Sequence, residues 1–158
     1  MAAKDPSPLD PTDRAIVRVL QRNGRTSNTE IGRALNLTET TIRKRIARLV
    51  DEGLVHVVAV PTPEAVGTTL SAIIGVSVNL GRIDAVSKTL ADSPEVRYLG
   101  VSTGRYDLIL EAFFGSSEHL LSFVSERLGG LDGVTRVETS IILRVDKFSY
   151  EWELPLDP

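Results

Sequence analysis

Apolar positions recur at helical spacing over the first third of the chain and switch to strand alternation beyond it. Ile16, Val17 and Leu20 form one stripe. Asp10 ahead of Pro11 predicts the start of that helix, because a carboxylate accepts from free backbone N–H groups and proline suits the first helical position. Asn23-Gly24 ends it. A short second helix runs from about Asn28 to Leu35, with Ser27 as its cap and Ile31 and Leu35 turned inward. Asn36-Leu37 predicts a tight turn, and Thr38 caps a longer helix that lasts until Gly53. After Gly53 the period changes. Leu54-Val55-His56-Val57-Val58-Ala59-Val60 is β-rich and closes at Pro61 and Pro63, which predicts a hinge strand between two domains.

The remainder reads strand, helix, strand, strand, helix, strand. Ile74, Val76, Val78 and Leu80 alternate with small or polar residues, whereas Ile83, Val86, Ser87 and Leu90 have helical spacing up to Ser93-Pro94. Val96 to Ser102 and Tyr106 to Phe113 predict a hairpin across Thr103-Gly104-Arg105. Leu120, Leu121, Val124 and Leu128 line a second helix, capped by Ser116 or Ser117 and followed by Gly129-Gly130; Val134 to Val145 forms the last strand. This order is the ferredoxin-like βαββαβ arrangement, one antiparallel sheet with both helices on one face. Its bare face invites burial against a second copy. The expected fold class is α+β: a helix-turn-helix domain over 9–53, a hinge strand and linker over 54–64, and a ferredoxin-like domain over 65–152. Short tails, 1–8 and 153–158, flank them.

The third helix carries the most informative pattern. At about 100° per residue, Ile42, Ile46, Leu49 and Val50 fall on one stripe. Thr40, Thr41, Lys44 and Arg48 lie opposite, with Arg43 and Arg45 on the shoulders. A helix that enters the major groove of DNA needs this combination: a slim polar N-terminal end, cations for phosphates and guanine edges, and an apolar back gripping its neighbours. Ser27 and Thr38, each opening a helix, add hydroxyls and backbone N–H groups that suit phosphates. The candidate DNA-contacting set is therefore Ser27, Thr38, Thr40, Thr41, Arg43, Lys44, Arg45 and Arg48.

Charge sharpens that reading. The net charge of the 158 residues is −3. Yet residues 1–60 carry ten Lys/Arg against seven Asp/Glu, while residues 61–158 carry eight against fourteen. A basic front on an acidic back fits a polyanion-binding module joined to a domain that avoids polyanions. The chain has no cysteine, which excludes disulfides and thiolate chemistry. No stretch approaches the roughly 20 apolar residues of a membrane span, and the N-terminus lacks an apolar signal core. A soluble, cytoplasmic protein is expected. Catalysis is not: His56 and His119 have no second ligand at metal spacing, Ser116-Ser117 has no accompanying base, and Gly129-Gly130 is not followed by a phosphate-binding lysine. No cofactor or metal is expected.

Leu9-Asp-Pro-Thr-Asp-Arg-Ala-Ile, the run from Ser27 through Thr38, Thr41-Ile-Arg-Lys-Arg-Ile-Ala-Arg-Leu and Glu52-Gly-Leu-Val stand in this order along the chain. With these residues the sequence resembles the Lrp/AsnC (leucine-responsive, feast/famine) family of regulators. Gly100-Val-Ser-Thr-Gly104-Arg-Tyr-Asp107-Leu resembles that family's GxxxGxxD effector motif. The resemblance covers roughly residues 9–152. It implies a prokaryotic transcriptional regulator that dimerises through the hinge strand and the C-terminal sheets and commonly assembles into octamers. It also implies a small effector, usually an amino acid, bound between dimers. Gly100, Thr103, Gly104, Arg105, Tyr106 and Asp107 are the effector candidates. Gly104 permits a positive φ and a close approach of ligand to backbone. Arg105 suits a carboxylate, and Tyr106 offers a wall with a polar tip. Asp107 either accepts from an α-ammonium or pins the loop, and the whole segment also reads as a plain hairpin turn. An architectural DNA-binding protein with no ligand response is the alternative function.

Overall fold

The computed structural model describes residues 8–147, in which residues 8–59 with Lys147 form one compact unit and Val60–Asp146 a second. The first is a three-helix unit: α1 (Pro11–Arg22), α2 (Asn28–Leu35) and α3 (Glu39–Asp51). Each begins at the predicted cap. The Asp10 side chain accepts from the Asp13 N–H at 2.8 Å, and the Asp13 carboxylate accepts in return from the Asp10 N–H at 3.2 Å. Ser27 and Glu30 repeat this reciprocal arrangement at α2. Between α2 and α3, Asn36 adopts the left-handed conformation (φ 55°), and the Leu37 N–H donates to the Gly32 carbonyl at 2.8 Å. A Cβ at Gly32 would lie 2.6 Å from the Leu37 carbonyl oxygen, so the tight turn requires glycine there. Ile16, Ile31 and Ile42 form a fully buried centre, with Val19, Leu20, Leu35, Leu37 and Ile46 packed around it. Val50, expected in the stripe, stands at its outer edge and is 42% exposed.

The second unit carries β1 (Leu70–Val78), α4 (Ile83–Ala91), β2 (Val96–Val101), β3 (Leu108–Phe114), α5 (Ser117–Ser122) and β4 (Val134–Ile141). The strands form one antiparallel sheet in the order β2-β3-β1-β4. Alternate residues of β1 and β3 (Ala72, Ile74, Val76, Val78 and Leu108, Leu110, Ala112, Phe114) pack with Val86, Leu90, Leu120, Phe123 and Leu128 of the helices. The opposite face exposes Ile73 and Tyr98 and carries the polar side of β4, Arg136 and Glu138. This is the expected α+β architecture of a helical domain followed by βαββαβ.

Three expectations need correction. No ladder forms over Leu54–Val60, the predicted hinge strand. A strand exists by pairing, and no described segment lies alongside to receive its backbone groups. The Leu54 and Val55 N–H groups instead donate to the Leu49 carbonyl, closing the end of α3. Secondly, Phe123 is buried in the second helix where Leu121 was expected, and Leu121 is 68% exposed. The helix widens into a π turn over Phe123–Leu128, with the Gly129 N–H reaching back five residues to the Val124 carbonyl. That longer period places Phe123 and Leu128 on one face. Thirdly, β4 stops at Ile141 rather than Val145. Its neighbour β1 begins at Leu70, and after the Ile142 N–H bonds the Ser71 carbonyl no described strand continues the ladder.

Candidate nucleic-acid interface and effector loop

Capping decides which polar groups at the helix starts stay available to a ligand. The Ser27 hydroxyl accepts from the Glu30 N–H at 3.2 Å and donates to the Glu30 carboxylate at 2.7 Å. The Ser27 hydroxyl and the Ser27 N–H, which donates to the same carboxylate at 2.9 Å, hold Glu30 below its ordinary carboxylate range. Thr38 accepts from the Thr41 N–H at 3.2 Å, and the two hydroxyls share a bond of 2.8 Å. The Thr29 hydroxyl donates to Glu39 at 3.2 Å, tying the start of α3 to α2. These hydroxyls fix the direction of α3, and its exposed first turn presents Thr40.

The four cations of α3 divide into two pairs. Arg43 and Lys44 are exposed and make no hydrogen bond or ion pair to a described residue. Arg45 and Arg48 turn to the start of α1 instead. One nitrogen of Arg45 donates to Asp10 at 2.6 Å and to Asp13 at 2.8 Å. Arg48 donates to Asp13 at 2.5 Å and to Glu52 at 2.9 Å. Asp13 is 1% exposed. The Arg45 guanidinium, together with the Asp13 N–H, holds the Asp10 carboxyl below its usual range. The carboxylates raise Arg45 and Arg48 above theirs. This departs from the even cationic face expected of α3, because a helical projection describes one helix and omits the carboxylates that a neighbouring helix supplies. The role of Asp13 is hidden from a single-helix projection for the same reason. Its signal was the Asp-x-x-Asp spacing of a reciprocal cap, which places a second carboxylate at the helix start.

The second cluster surrounds the turn between β2 and β3. Gly104 has φ +119° and open space around it; Thr103 is exposed. Asp107 pins rather than projects: its carboxylate accepts from the Val78 N–H at 2.8 Å, where the β1–β4 register shifts. The Tyr106 ring lies across β1, and a Cβ at Gly75 would stand 2.6 Å from it, so Gly75 is the ring's seat. The Tyr106 hydroxyl faces Glu138, which accepts from Arg105 at 2.8 Å and Arg136 at 3.1 Å. The hydroxyl and the two guanidinium groups hold Glu138 below its usual range. Partial burial pushes the Tyr106 phenol up, and the Glu138 carboxylate adds to this. Arg105 also covers the ring at 5.3 Å. Gly100 lies within β2 beneath the Tyr98 side chain, apart from the turn itself. Sequence reasoning missed Gly75 and Glu138, because they enter through sheet register rather than the motif.

Elsewhere, His119 pairs with Glu95 at 3.0 Å and meets the Phe114 ring edge-on. Among the described residues no group of three or more His, Asp or Glu is placed to hold a metal. No described helix is long and apolar enough to cross a membrane.

Comparison with known proteins places this geometry in a family. Residues 9–50 match the AsnC-type helix-turn-helix domain, and residues 71–152 match the Lrp/AsnC ligand binding domain. The chain belongs to the Lrp/AsnC family of HTH-type transcriptional regulators and is not an enzyme. It is 38% identical over 143 residues to the uncharacterized HTH-type transcriptional regulator PH0140 of Pyrococcus horikoshii, covering 90% of each chain. It is 34% identical over 145 residues to the HTH-type transcriptional regulator FL11 of the same organism, covering 91% of this chain and 95% of that one. Among solved structures it resembles the regulator NMB0573 of Neisseria meningitidis in complex with L-Met: TM-score 0.85, 31% identity, 92% of this chain and 96% of that one. It also resembles the feast or famine regulatory protein Rv3291c of M. tuberculosis complexed with L-methionine: TM-score 0.84, 28% identity, 93% and 99% coverage.

Proposed function

We propose that this regulator reads double-stranded DNA with α3 and tunes that binding through an amino-acid effector held near the β2–β3 turn. The observation that carries the DNA half is the pair Arg43 and Lys44, exposed without described partners beside Thr40 and above a buried Ile42. Thr40 and Thr41 approach base edges, Arg43 and Lys44 contact phosphate or guanine, and Ser27 and Thr38 hold the turn near the backbone. The two L-methionine complexes of similar regulators support an amino acid as effector. Gly104 leaves room for its backbone approach, Arg105 and Tyr106 face its carboxylate and side chain, Asp107 and Thr103 shape the turn, and Gly100 contributes from within β2.

Dimers form by two routes in this reading. The run Leu54–Val60, which has no ladder partner among the described residues, receives the same run of a second copy, and the bare sheet face around Ile73 and Tyr98 packs on its counterpart. Dimers then associate further, up to an octamer, with the effector between them. The reading places the protein in the cytoplasm, where its DNA is, with domain limits at 9–53, 54–64 and 65–152.

Thermal unfolding of the full chain against a panel of amino acids that includes L-methionine tests the effector half. A ligand at about 100 times its Kd stabilises the folded state by about 2.7 kcal/mol, and the shift disappears in Asp107→Ala while ligand-free DNA binding persists. No shift from any amino acid at millimolar concentration selects the architectural alternative.

A further inference from the structure

Asp10 and Asp13 have no place in the DNA reading so far, yet they engage two of the three α3 arginines, whose fork geometry suits phosphate. Both oxygens of Asp13 are occupied. Oδ1 accepts from Arg45 at 2.8 Å, and Oδ2 accepts from Arg48 at 2.5 Å and from the Asp10 N–H at 3.2 Å. Asp10 splits its own: Oδ1 caps α1 through the Asp13 N–H, and Oδ2 takes Arg45 at 2.6 Å. A DNA phosphate that captured either arginine would strip a cation from a carboxylate only 1% exposed, and a buried charge that loses its partner is strongly unfavourable.

The same bonds set direction. The apolar centre between the helices is small, and hydrophobic contact has no preferred angle. Arg45 and Arg48 stand three residues apart, on successive turns of α3, and both end on one carboxylate of α1. Two tethers at different heights fix the rotation of α3 about its own axis.

We propose that Asp13, with Asp10, is a positioning pair for the reading helix: it withholds Arg45 and Arg48 from the DNA backbone and fixes the rotation at which α3 presents Thr40, Arg43 and Lys44. This rests on the reading of α3 as the DNA-contacting helix. Counterion release by this segment then comes from Arg43 and Lys44, while Arg45 and Arg48 contribute to sequence discrimination without touching DNA.

The test uses the full chain, a duplex that it selects from a randomised pool, and a scrambled duplex of the same length. Affinity for both is measured over a salt series, at a temperature where circular dichroism shows each variant folded. Arg43→Gln and Lys44→Gln each flatten the log–log salt slope by about 0.9, the loss of one phosphate contact. Arg45→Gln leaves the slope unchanged and lowers the selected-to-scrambled affinity ratio about fivefold, the scale of one weakened base contact. Asp10→Asn keeps the helix cap, because its amide oxygen still accepts from the Asp13 N–H. It therefore folds, does not flatten the slope, and lowers the same ratio. A purely structural ion pair would lower the melting temperature and leave that ratio alone in folded protein. If Arg45→Gln flattens the slope as Arg43→Gln and Lys44→Gln do, the positioning assignment is overturned while α3 remains the reading helix. An unchanged ratio in both Arg45→Gln and Asp10→Asn also overturns it. If neither Arg43→Gln nor Lys44→Gln moves the slope, the reading of α3 fails and the assignment falls with it.

Discussion

The two units of this regulator are held together by different means. Among the described residues, thirteen buried apolar side chains form the core of the sheet unit, and none of them belongs to the β2–β3 turn that is its candidate site. The three-helix unit has three fully buried isoleucines at its centre and, beside them, a buried carboxylate clamped by two arginines of its candidate DNA-contacting helix. Small units bury too little apolar surface to rely on it alone. In the helical unit polar residues therefore contribute to stability and orientation as well as recognition. In the sheet unit the apolar core carries stability, and the turn contributes no side chain to it.

The largest effect expected from this contrast is on the cores. Truncating Ile42 or Ile74 to alanine removes the same fully buried side chain, at a cost of about 2–5 kcal/mol each. The helical unit has little reserve, so Ile42→Ala abolishes hydrogen-exchange protection across α1–α3 and DNA binding together. Ile74→Ala leaves the sheet protected, with faster exchange only. Equal loss of protection in the two units would show that both stand equally close to unfolding, and the contrast would fail.

Much of this was legible from residue pattern. Asp10, Ser27 and Thr38 name their helices because a capping side chain acts within three residues of itself. The βαββαβ order follows from local periodicity, and the Gly100–Asp107 motif located the turn. What was not legible depends on partners distant in sequence. Arg45 and Arg48 look equivalent to Arg43 and Lys44 until Asp13 is brought beside them. Asp107 leaves a choice between ligand and anchor until Val78 offers it an N–H. The Leu54–Val60 run has strand composition, but a ladder needs a neighbour, and no described segment supplies one. The π turn of the last helix has no residue signature at all, and it redirected burial from Leu121 to Phe123.

A middle-sized effect separates the two polar clusters. Asp13→Ala leaves two guanidinium groups without their buried partner, and one of them retains only Asp10. Removing one member of a buried pair costs about 3–5 kcal/mol. Because Arg45 and Arg48 keep some access to water, about 2–3 kcal/mol is expected here. Glu138 also receives two guanidinium groups and a phenol, but its side chain is 40% exposed and those of its arginines 57% and 62%. Exposed pairs contribute about 0–1 kcal/mol, so Glu138→Ala leaves the sheet unit nearly as stable as before while releasing Tyr106 and Arg105. Urea unfolding followed by exchange in each unit measures both; a larger loss in Glu138→Ala would reverse the assignment of structural and functional clusters.

The smallest effect is a pH dependence, and its sign follows from the shifts. Asp10 is held below its ordinary value of 3.8 by Arg45 and the Asp13 N–H. A carboxyl lowered in the folded state contributes stability above its unfolded pKa and loses that contribution as pH falls through the folded one. The stability of the helical unit therefore declines from about pH 4 downward. Asp10→Asn, which cannot ionise, lacks this component, so it starts less stable at pH 6 and the gap to the unaltered chain narrows steadily towards pH 2. Arg45 and Arg48, raised from values already far above neutrality, add no slope in this range. Glu138, held below 4.5 by Tyr106 and its two arginines, produces the same form of decline in the sheet unit, which Glu138→Gln removes. Both carboxylates are partly open to solvent, so screening makes both slopes shallow, and added salt flattens them further. A gap for Asp10→Asn that widens in acid would mean that Asp10 serves α1 only as a neutral cap, with Arg45 held by Asp13 alone.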